Sequence, residues 1–265
     1  MIRLQLMEKR IRLTAYSVNT KWIAHGSSVA TVVVFLHEAL GSIIQWKAFP
    51  EELCRELRLS GLIIERQGHG KSDPLSDERT ETYLHDYTYE LKEVLDEMLP
   101  SGCRVLLVGH SDGGTIALLF AKLFPKNVTG LVTMAAHTCV EPETINGILP
   151  AIDAFEQGKM DGLFRIHGDK TRTLFYAWAN TWRAPFFLDW DIREEIKGLE
   201  MPVLAIQGSD DQYGTEKQLE SIVEAGTQVK VVLLKACGHH PHIEKPEEVR
   251  KLLEKWFHAH FGYVL

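Results

Sequence analysis

The sequence predicts an α/β fold, a mostly parallel sheet flanked by helices, and two observations carry that prediction. Short apolar runs rich in β-branched residues alternate with amphipathic helical segments along most of the chain. The alternation fails from residue 137 to about residue 197, where no convincing strand occurs, and then resumes. The expected organisation is a core formed by residues 1–136 and 198–265, interrupted by a helical cap insertion over 137–197. Core and lid would together make a single structural domain, and 265 residues are enough to bury a sizeable core as one unit.

Taken in order, residues 2–18 alternate charged and apolar side chains and predict two strands, with a turn near Glu8-Lys9. The continuous run ATVVVFLHE (30–38) predicts a strand buried on both faces, as does GLIIERQG (61–68). Between them FPEELCRELRL (49–59) is amphipathic with a helical period. A helix is predicted over 83–99, with Tyr87, Leu91, Val94, Leu95 and Met98 along one face. CRVLLVG (103–109) and GLVTMAA (130–136) are strands on either side of the helix GTIALLFAKLF. After the insertion come a strand (202–208), a helix (215–225), a strand (229–236) and a last helix (246–261). The insertion holds Trp178, Trp182 and Trp190 together with Phe155, Phe164, Phe175, Phe186 and Phe187. Such a density of aromatics supplies either a small core or the wall of a substrate cavity at a domain interface.

Composition narrows the function classes. A formal net charge of −7 argues against nucleic acid and against an anionic membrane surface as partners. Cys54, Cys103, Cys139 and Cys237 lie far apart and form no CxxC pair, as expected of reduced thiols in a cytoplasmic protein. The first residues lack the apolar stretch of a signal peptide, and no segment approaches a membrane span. Oligomeric state is left open.

The segment RVLLVGHSDGGTIALLFAKLF (104–124) carries the chemistry. It puts Ser111 between Gly109 and Gly113 at the seam of a buried strand and a helix, where a strained turn lifts a serine hydroxyl into the open. The plainer alternative is a serine that caps the helix. A serine needs a base to take its proton, and the base needs an orienting carboxylate. Two later strands each end in a loop with a suitable residue. AIQGSDDQYG offers Asp210 and Asp211, and LLKACGHHPHIEKPEEV offers His239.

Together these segments resemble the α/β-hydrolase superfamily, in its capped, esterase-like and carbon–carbon-hydrolase-like branch. LHEALGS resembles the oxyanion loop, ERQGHGKSD the Asp-x-Arg-Gly-x-Gly-x-Ser segment, and GHSDGG the nucleophile elbow. QGSDDQYG resembles the acid loop and CGHHPHIEKPEEV the histidine loop, so the resemblance spans nearly everything outside the insertion. It implies an α/β-hydrolase fold with Ser111 as nucleophile, Asp211 as acid, Asp210 being the alternative, and His239 as base. It also implies an oxyanion hole built from the backbone N–H groups of Ala39 and Asp112. His37, Glu38, Trp178 and Trp182 are candidates for the substrate pocket. Cys237, His239, His240 and His242 also invite a zinc reading, but no second spaced ligand pair accompanies them, so no metal is expected. No organic cofactor is implied either.

Two residues depart from the family pattern. Glu38 stands where the oxyanion loop usually has glycine, and Asp112 follows the nucleophile where many relatives have an apolar residue. Asp112 reads either as a carboxylate stabilised by the helix N-terminus or as a pocket group. Glu38 reads either as a partner of Arg66 or as a second pocket group. If both face the pocket, they should disfavour anionic substrates. The expected protein is a serine hydrolase acting on a small, largely apolar ester or related acyl compound, its partner being that small-molecule substrate. A carbon–carbon bond hydrolase or cofactor-free lyase on the same residues, and a slow-turnover ligand receptor of the same fold, are the alternatives.

Overall fold

A computed structural model describes residues 5–25 and 30–262. Its strands are β1 (Gln5–Arg12), β2 (Ser17–Ala24), β3 (Thr31–Leu36), β4 (Ser60–Glu65), β5 (Arg104–His110), β6 (Val128–Met134), β7 (Val203–Gly208) and β8 (Val229–Leu234). They form one sheet in the order β1-β2-β4-β3-β5-β6-β7-β8. From β4 to β8 neighbouring strands are parallel, while β1–β2 and β2–β4 pair antiparallel.

The apolar runs are buried on both sides because successive side chains point to opposite faces. Val32, Val34 and Leu36 join one core cluster, and Val33 and Phe35 join the other. Leu107 and Leu106 divide in the same way. Helices α1 (Phe49–Leu57) and, from the far end of the chain, α9 (Pro246–Phe261) cover one face. The opposite face is covered by α2 (Tyr83–Met98), α3 (Asp112–Leu123) and α7 (Lys217–Ala225). The short α8 (Pro241–Glu244) follows β8 and lies on the α9 side, with His242 against Trp46 and Phe49. On α2, Tyr87, Leu91, Val94 and Leu95 are buried, and Met98, at the end of the stripe, is half-buried.

The first hairpin differs from expectation. Residues 1–4 lie outside the described residues, and β1 runs straight through Glu8 and Lys9, which pair with Lys21 and Thr20. The turn is instead at Leu13–Tyr16, closed by Leu13 N–H donating to Tyr16 O at 2.8 Å. Exposed charges at Glu8 and Lys9 are those of an edge strand, where they discourage pairing with another chain.

Between β6 and β7 the chain forms α4 (Pro142–Glu156), α5 (Gly162–His167) and α6 (Thr171–Arg183). Its two ends are tied together, with Val140 N–H donating to Trp190 O at 3.2 Å and Ile192 N–H to Thr138 O at 2.8 Å. Phe155 stacks on Phe175 at 3.9 Å between ring centroids, and Phe187 stacks on Trp190 at 5.3 Å. Part of the aromatic content of 137–197 is therefore core for these helices. Among the described residues no helix is long and apolar enough to cross a membrane.

Candidate active site

Ser111 occupies the single residue between β5 and α3, with φ 52° and ψ −120°, a conformation that residues with a side chain seldom adopt. The turn leaves no room beside it. A Cβ on Gly109 would stand 2.2 Å from Gly113 O, and one on Gly113 would stand 2.0 Å from Leu36 O. Glycine at both positions is thus a steric requirement of strand and helix passing so closely. The Ser111 carbonyl accepts from Gly114 and Thr115 N–H at 2.8 and 3.0 Å, but its side chain makes no capping bond to the helix. The hydroxyl is free to point elsewhere.

It points at His239. Ser111 Oγ lies 3.0 Å from His239 Nε2, and His239 Nδ1 lies 2.9 Å from both Asp211 Oδ1 and Asp211 Oδ2. A carboxylate can only accept, so His239 carries its proton on Nδ1 and presents the Nε2 lone pair to the serine O–H. Asp211 also accepts from Gln207 Nε2 at 2.6 Å and Tyr213 N–H at 2.9 Å. Burial would raise the Asp211 pKa, but the His239 hydrogen bond and charge, with the Tyr213 N–H, hold it below the usual carboxylate range. Asp210 is exposed, and its carboxylate accepts from Ser209 Oγ at 2.8 Å.

The loop bearing His239 is clamped from both sides. Gly238 and His240 N–H donate to the Glu244 carboxylate at 2.7 and 3.0 Å, and His110 Nε2 donates to His239 O at 2.7 Å. His240 and His242 also pack against the His110 ring, with centroids 5.0 and 4.7 Å away. Burial followed by neighbouring histidine charge lowers His240 to about 4 and His242 to about 3, so both are neutral near pH 7. Cys237 is buried and makes its contact with Gly238 O.

The loop after β3 is held by its carbonyls. Glu38 O accepts from Gly41 N–H, Arg66 Nη2 and His37 Nδ1, and Leu40 O accepts from His167 Nε2 at 2.9 Å. Ala39 O faces His69 Nε2 at 3.0 Å, where the neutral ring donates either to it or to Gln67 O. Because the peptide unit is planar and trans, fixing Glu38 O on that side turns the Ala39 N–H to the other. Neither the Ala39 N–H nor the Asp112 N–H donates to an acceptor among the described residues.

The two departures from the family pattern are resolved separately. Arg66 donates to the carbonyls of His37 and Glu38 and leaves the Glu38 carboxylate to accept from Leu40 N–H. Burial raises Glu38 to about 7 against the pull of that N–H. Asp112 opens α3, is buried, and accepts from Tyr83 O–H at 3.2 Å, while Trp182 Nε1 donates to the same tyrosine oxygen at 2.8 Å.

A cavity of about 140 Å³ opens above Ser111. At the ~10–15 Å³ that one water requires, it has room for a ligand of about ten such groups. Ser111, His239, Ala39, Asp112, Glu38, Trp178 and Trp182 all line it. His37 does not. Its ring is buried, donating from Nδ1 to Glu38 O and accepting Arg66 N–H at Nε2, so it supports the loop from behind. Sequence reasoning missed His137, Tyr213 and Thr144 in the lining, and the loop supports His69 and His167. The support from His167 joins residues far apart in sequence, which no local pattern announces.

A mostly parallel sheet covered on both faces, with a strained serine turn at a strand end and its histidine and aspartate on later strand ends, defines the α/β-hydrolase class of fold. A model of the Alpha/beta hydrolase family matches residues 33–252, and this chain belongs to that family and is a hydrolase. It is 34% identical to a putative 2-succinyl-6-hydroxy-2,4-cyclohexadiene-1-carboxylate synthase of Bacillus subtilis, over 87% of this chain and 92% of that one. It is 23% identical to a pimeloyl-(acyl-carrier protein) methyl ester esterase of Nitrosomonas europaea, over 77% and 86%. Among solved structures, the 2-hydroxy-6-oxo-6-phenylhexa-2,4-dienoate hydrolase of Rhodococcus sp. strain RHA1 superposes with a TM-score of 0.79 at 15% identity. That match covers 96% of this chain and 99% of the other, and shows likeness of fold.

Proposed function

We propose that this protein is a serine hydrolase that cleaves a small, largely apolar ester or related acyl compound through an acyl-enzyme, in the cytoplasm and without metal or organic cofactor. The observation that carries the reading is the continuous hydrogen-bonded line from Ser111 Oγ through His239 to Asp211, at 3.0 and 2.9 Å. Ser111 Oγ attacks the substrate carbonyl carbon as its proton passes to His239 Nε2. The oxyanion that forms accepts from the Ala39 and Asp112 N–H groups. Collapse expels the alcohol, which takes the proton from His239. Water then attacks the acyl carbon with His239 again as base, releasing the acid and restoring Ser111. Asp211 holds the imidazole in the required tautomer. The insertion over 137–197 acts as a cap, since Ile148, Met160, Leu163, Trp178 and Trp182 furnish the apolar wall of the cavity. The test is a panel of esters differing in acyl length and charge, assayed with wild type and Ser111→Ala. Hydrolysis of short neutral esters by wild type alone supports the reading, and equal activity in both overturns it.

Carbon–carbon cleavage or a cofactor-free elimination on the same three residues is the second reading. It draws support from the synthase of Bacillus subtilis and the dienoate hydrolase of Rhodococcus. Against transfer of the synthase's own chemistry, its named product bears two carboxylates, whereas the cavity here is lined by Glu38 and Asp112 and by no lysine or arginine among the described residues.

A further inference from the structure

The segment that enters the insertion grips the segment that follows the catalytic acid. Glu141 stands immediately before α4 and is buried, at 4% exposure. Its Oε1 accepts from Thr215 Oγ–H at 2.5 Å, and its Oε2 accepts from Thr215 N–H and Gln218 Nε2 at 3.0 and 2.6 Å. Burial alone would raise the Glu141 pKa, but the bonds from Thr215 and Gln218 hold it below the usual carboxylate range, so it is ionised at neutral pH. Gln218 is tied to the same segment, its Oε1 accepting from Thr138 N–H and Oγ–H at 2.7 and 2.9 Å. Thr144 Oγ–H and His137 Nε2–H both donate to Tyr213 O, at 2.7 and 3.1 Å. Gly147 lets α4 come close, since a Cβ there would stand 2.4 Å from Gln212 O.

Between these anchors lie the groups that hold the acid. Tyr213 N–H donates to Asp211 Oδ1 at 2.9 Å. Gln207 Nε2 joins Asp211 Oδ2 to Gly214 O, at 2.6 and 3.3 Å. Tyr213 and Gly214 directly precede Thr215, so fixing Thr215 fixes where the Tyr213 N–H points. Resting on the serine-hydrolase reading of this site, we propose that Glu141 is a positioning residue for the catalytic acid. Through Thr215 it holds the 212–215 turn so that the Tyr213 N–H and Gln207 keep the Asp211 carboxylate on His239. Its reach rather than its charge carries the effect, because its hydrogen bonds go to the turn and to α7 and not to Asp211 or His239.

Three variants separate reach from charge. Glu141→Ala removes both. Glu141→Gln keeps the reach: its carbonyl oxygen serves Thr215 N–H and Gln218, and the Thr215 hydroxyl turns to accept from the new NH2. Glu141→Asp keeps the charge and draws it back by one methylene. With a short p-nitrophenyl ester, Glu141→Ala should lower kcat by about tenfold to a hundredfold and leave KM within about threefold, as expected for a catalytic group displaced by about 1 Å. Glu141→Asp should fall between alanine and wild type, and Glu141→Gln should stay within about threefold of wild type. The proton NMR signal of His239 Nδ1–H, read without substrate, should keep its position in Glu141→Gln and shift or vanish in the other two. Val94→Ala, which opens a gap in the core beneath α2, controls for lost stability alone and should leave kcat and the signal unchanged. If the alanine variant does not fold, the aspartate and glutamine variants decide. Unchanged kcat and an unmoved His239 signal in Glu141→Ala would overturn the proposal. So would an aspartate variant that matches wild type beside a glutamine variant that loses activity, since that pattern belongs to charge. If wild type hydrolyses no ester, the serine-hydrolase reading fails instead, and the His239 signal alone decides the positioning role, an unmoved signal in Glu141→Asp and Glu141→Ala counting against it.

Discussion

Replacing Asp211 by asparagine should cost about four orders of magnitude in kcat, and the structure says why the loss should be so large. The carboxylate sits among donors only: His239 Nδ1 at 2.9 Å from both oxygens, Gln207 Nε2 at 2.6 Å from Oδ2, and Tyr213 N–H at 2.9 Å from Oδ1. An asparagine amide must aim its NH2 at one of those positions, setting donor against donor either at Gln207 or at Tyr213. Because His239 Nδ1 lies 2.9 Å from both positions, the NH2 also meets the Nδ1–H, and that clash is relieved when His239 moves its proton to Nε2 and accepts at Nδ1. That tautomer presents an N–H to Ser111 and cannot take the serine proton. A loss of about 10⁴ corresponds to roughly 5 kcal/mol of barrier. The assay is steady-state hydrolysis of a short p-nitrophenyl ester, with fluorophosphonate labelling rate as a second readout. Asp210→Asn is the control, because this exposed carboxylate accepts only from the neighbouring Ser209 Oγ among the described residues, and it should change kcat less than about threefold. If Asp211→Asn keeps more than a tenth of the activity, or if the two effects are reversed, Asp211 does not orient His239.

Gly113→Ala should fail to give stable protein, or lower stability by more than about 3 kcal/mol in urea unfolding, since the new Cβ would meet main-chain atoms of Leu36 and His37. Near-wild-type stability would mean the elbow is looser than described. His167→Ala removes the partner of Leu40 O and of Gly70 N–H, at a cost of about 1–3 kcal/mol. Because Leu40 belongs to the loop that presents the Ala39 N–H, kcat should fall more than KM changes, and His167→Gln should recover part of it. An unchanged kcat would leave His167 as plain packing. Glu38, raised by burial to about 7 from an unfolded value near 4.5, binds its proton more tightly in the folded state. Its contribution is therefore present below about pH 4.5 and lost as pH rises through about 7, by roughly 3 kcal/mol at most. Glu38→Gln should gain stability over wild type at pH 8 relative to pH 5, and a pH-independent difference would contradict this burial argument.

Much of this architecture is legible in the sequence because it follows from local periodicity. A doubly buried parallel strand must be apolar on both faces, and VVVFL and RVLLVG say so directly. The elbow is legible for a different reason, since the close approach of strand and helix admits only glycine at 109 and 113. The first turn lies elsewhere than the sequence predicts, because charge at Glu8-Lys9 marks an exposed edge as readily as a turn, and only pairing with β2 tells the two apart. His37 is a pocket candidate in the sequence, yet adjacent side chains in an irregular loop point apart, and its ring lies behind the chain. His137 and His167 could not be read at all. Their importance comes from what Tyr213 O and Leu40 O, 76 and 127 residues away in sequence, do to each ring.

The claim on which everything else depends is that Ser111 is an activated nucleophile. A fluorophosphonate probe, followed by intact mass and peptide mapping, tests it without knowledge of the substrate. The account predicts a single adduct on Ser111. It should form more slowly in His239→Ala, and it should be absent from Ser111→Ala together with ester hydrolysis. A wild-type protein that takes no label, or an alanine variant that is still labelled and still hydrolyses esters, would contradict it.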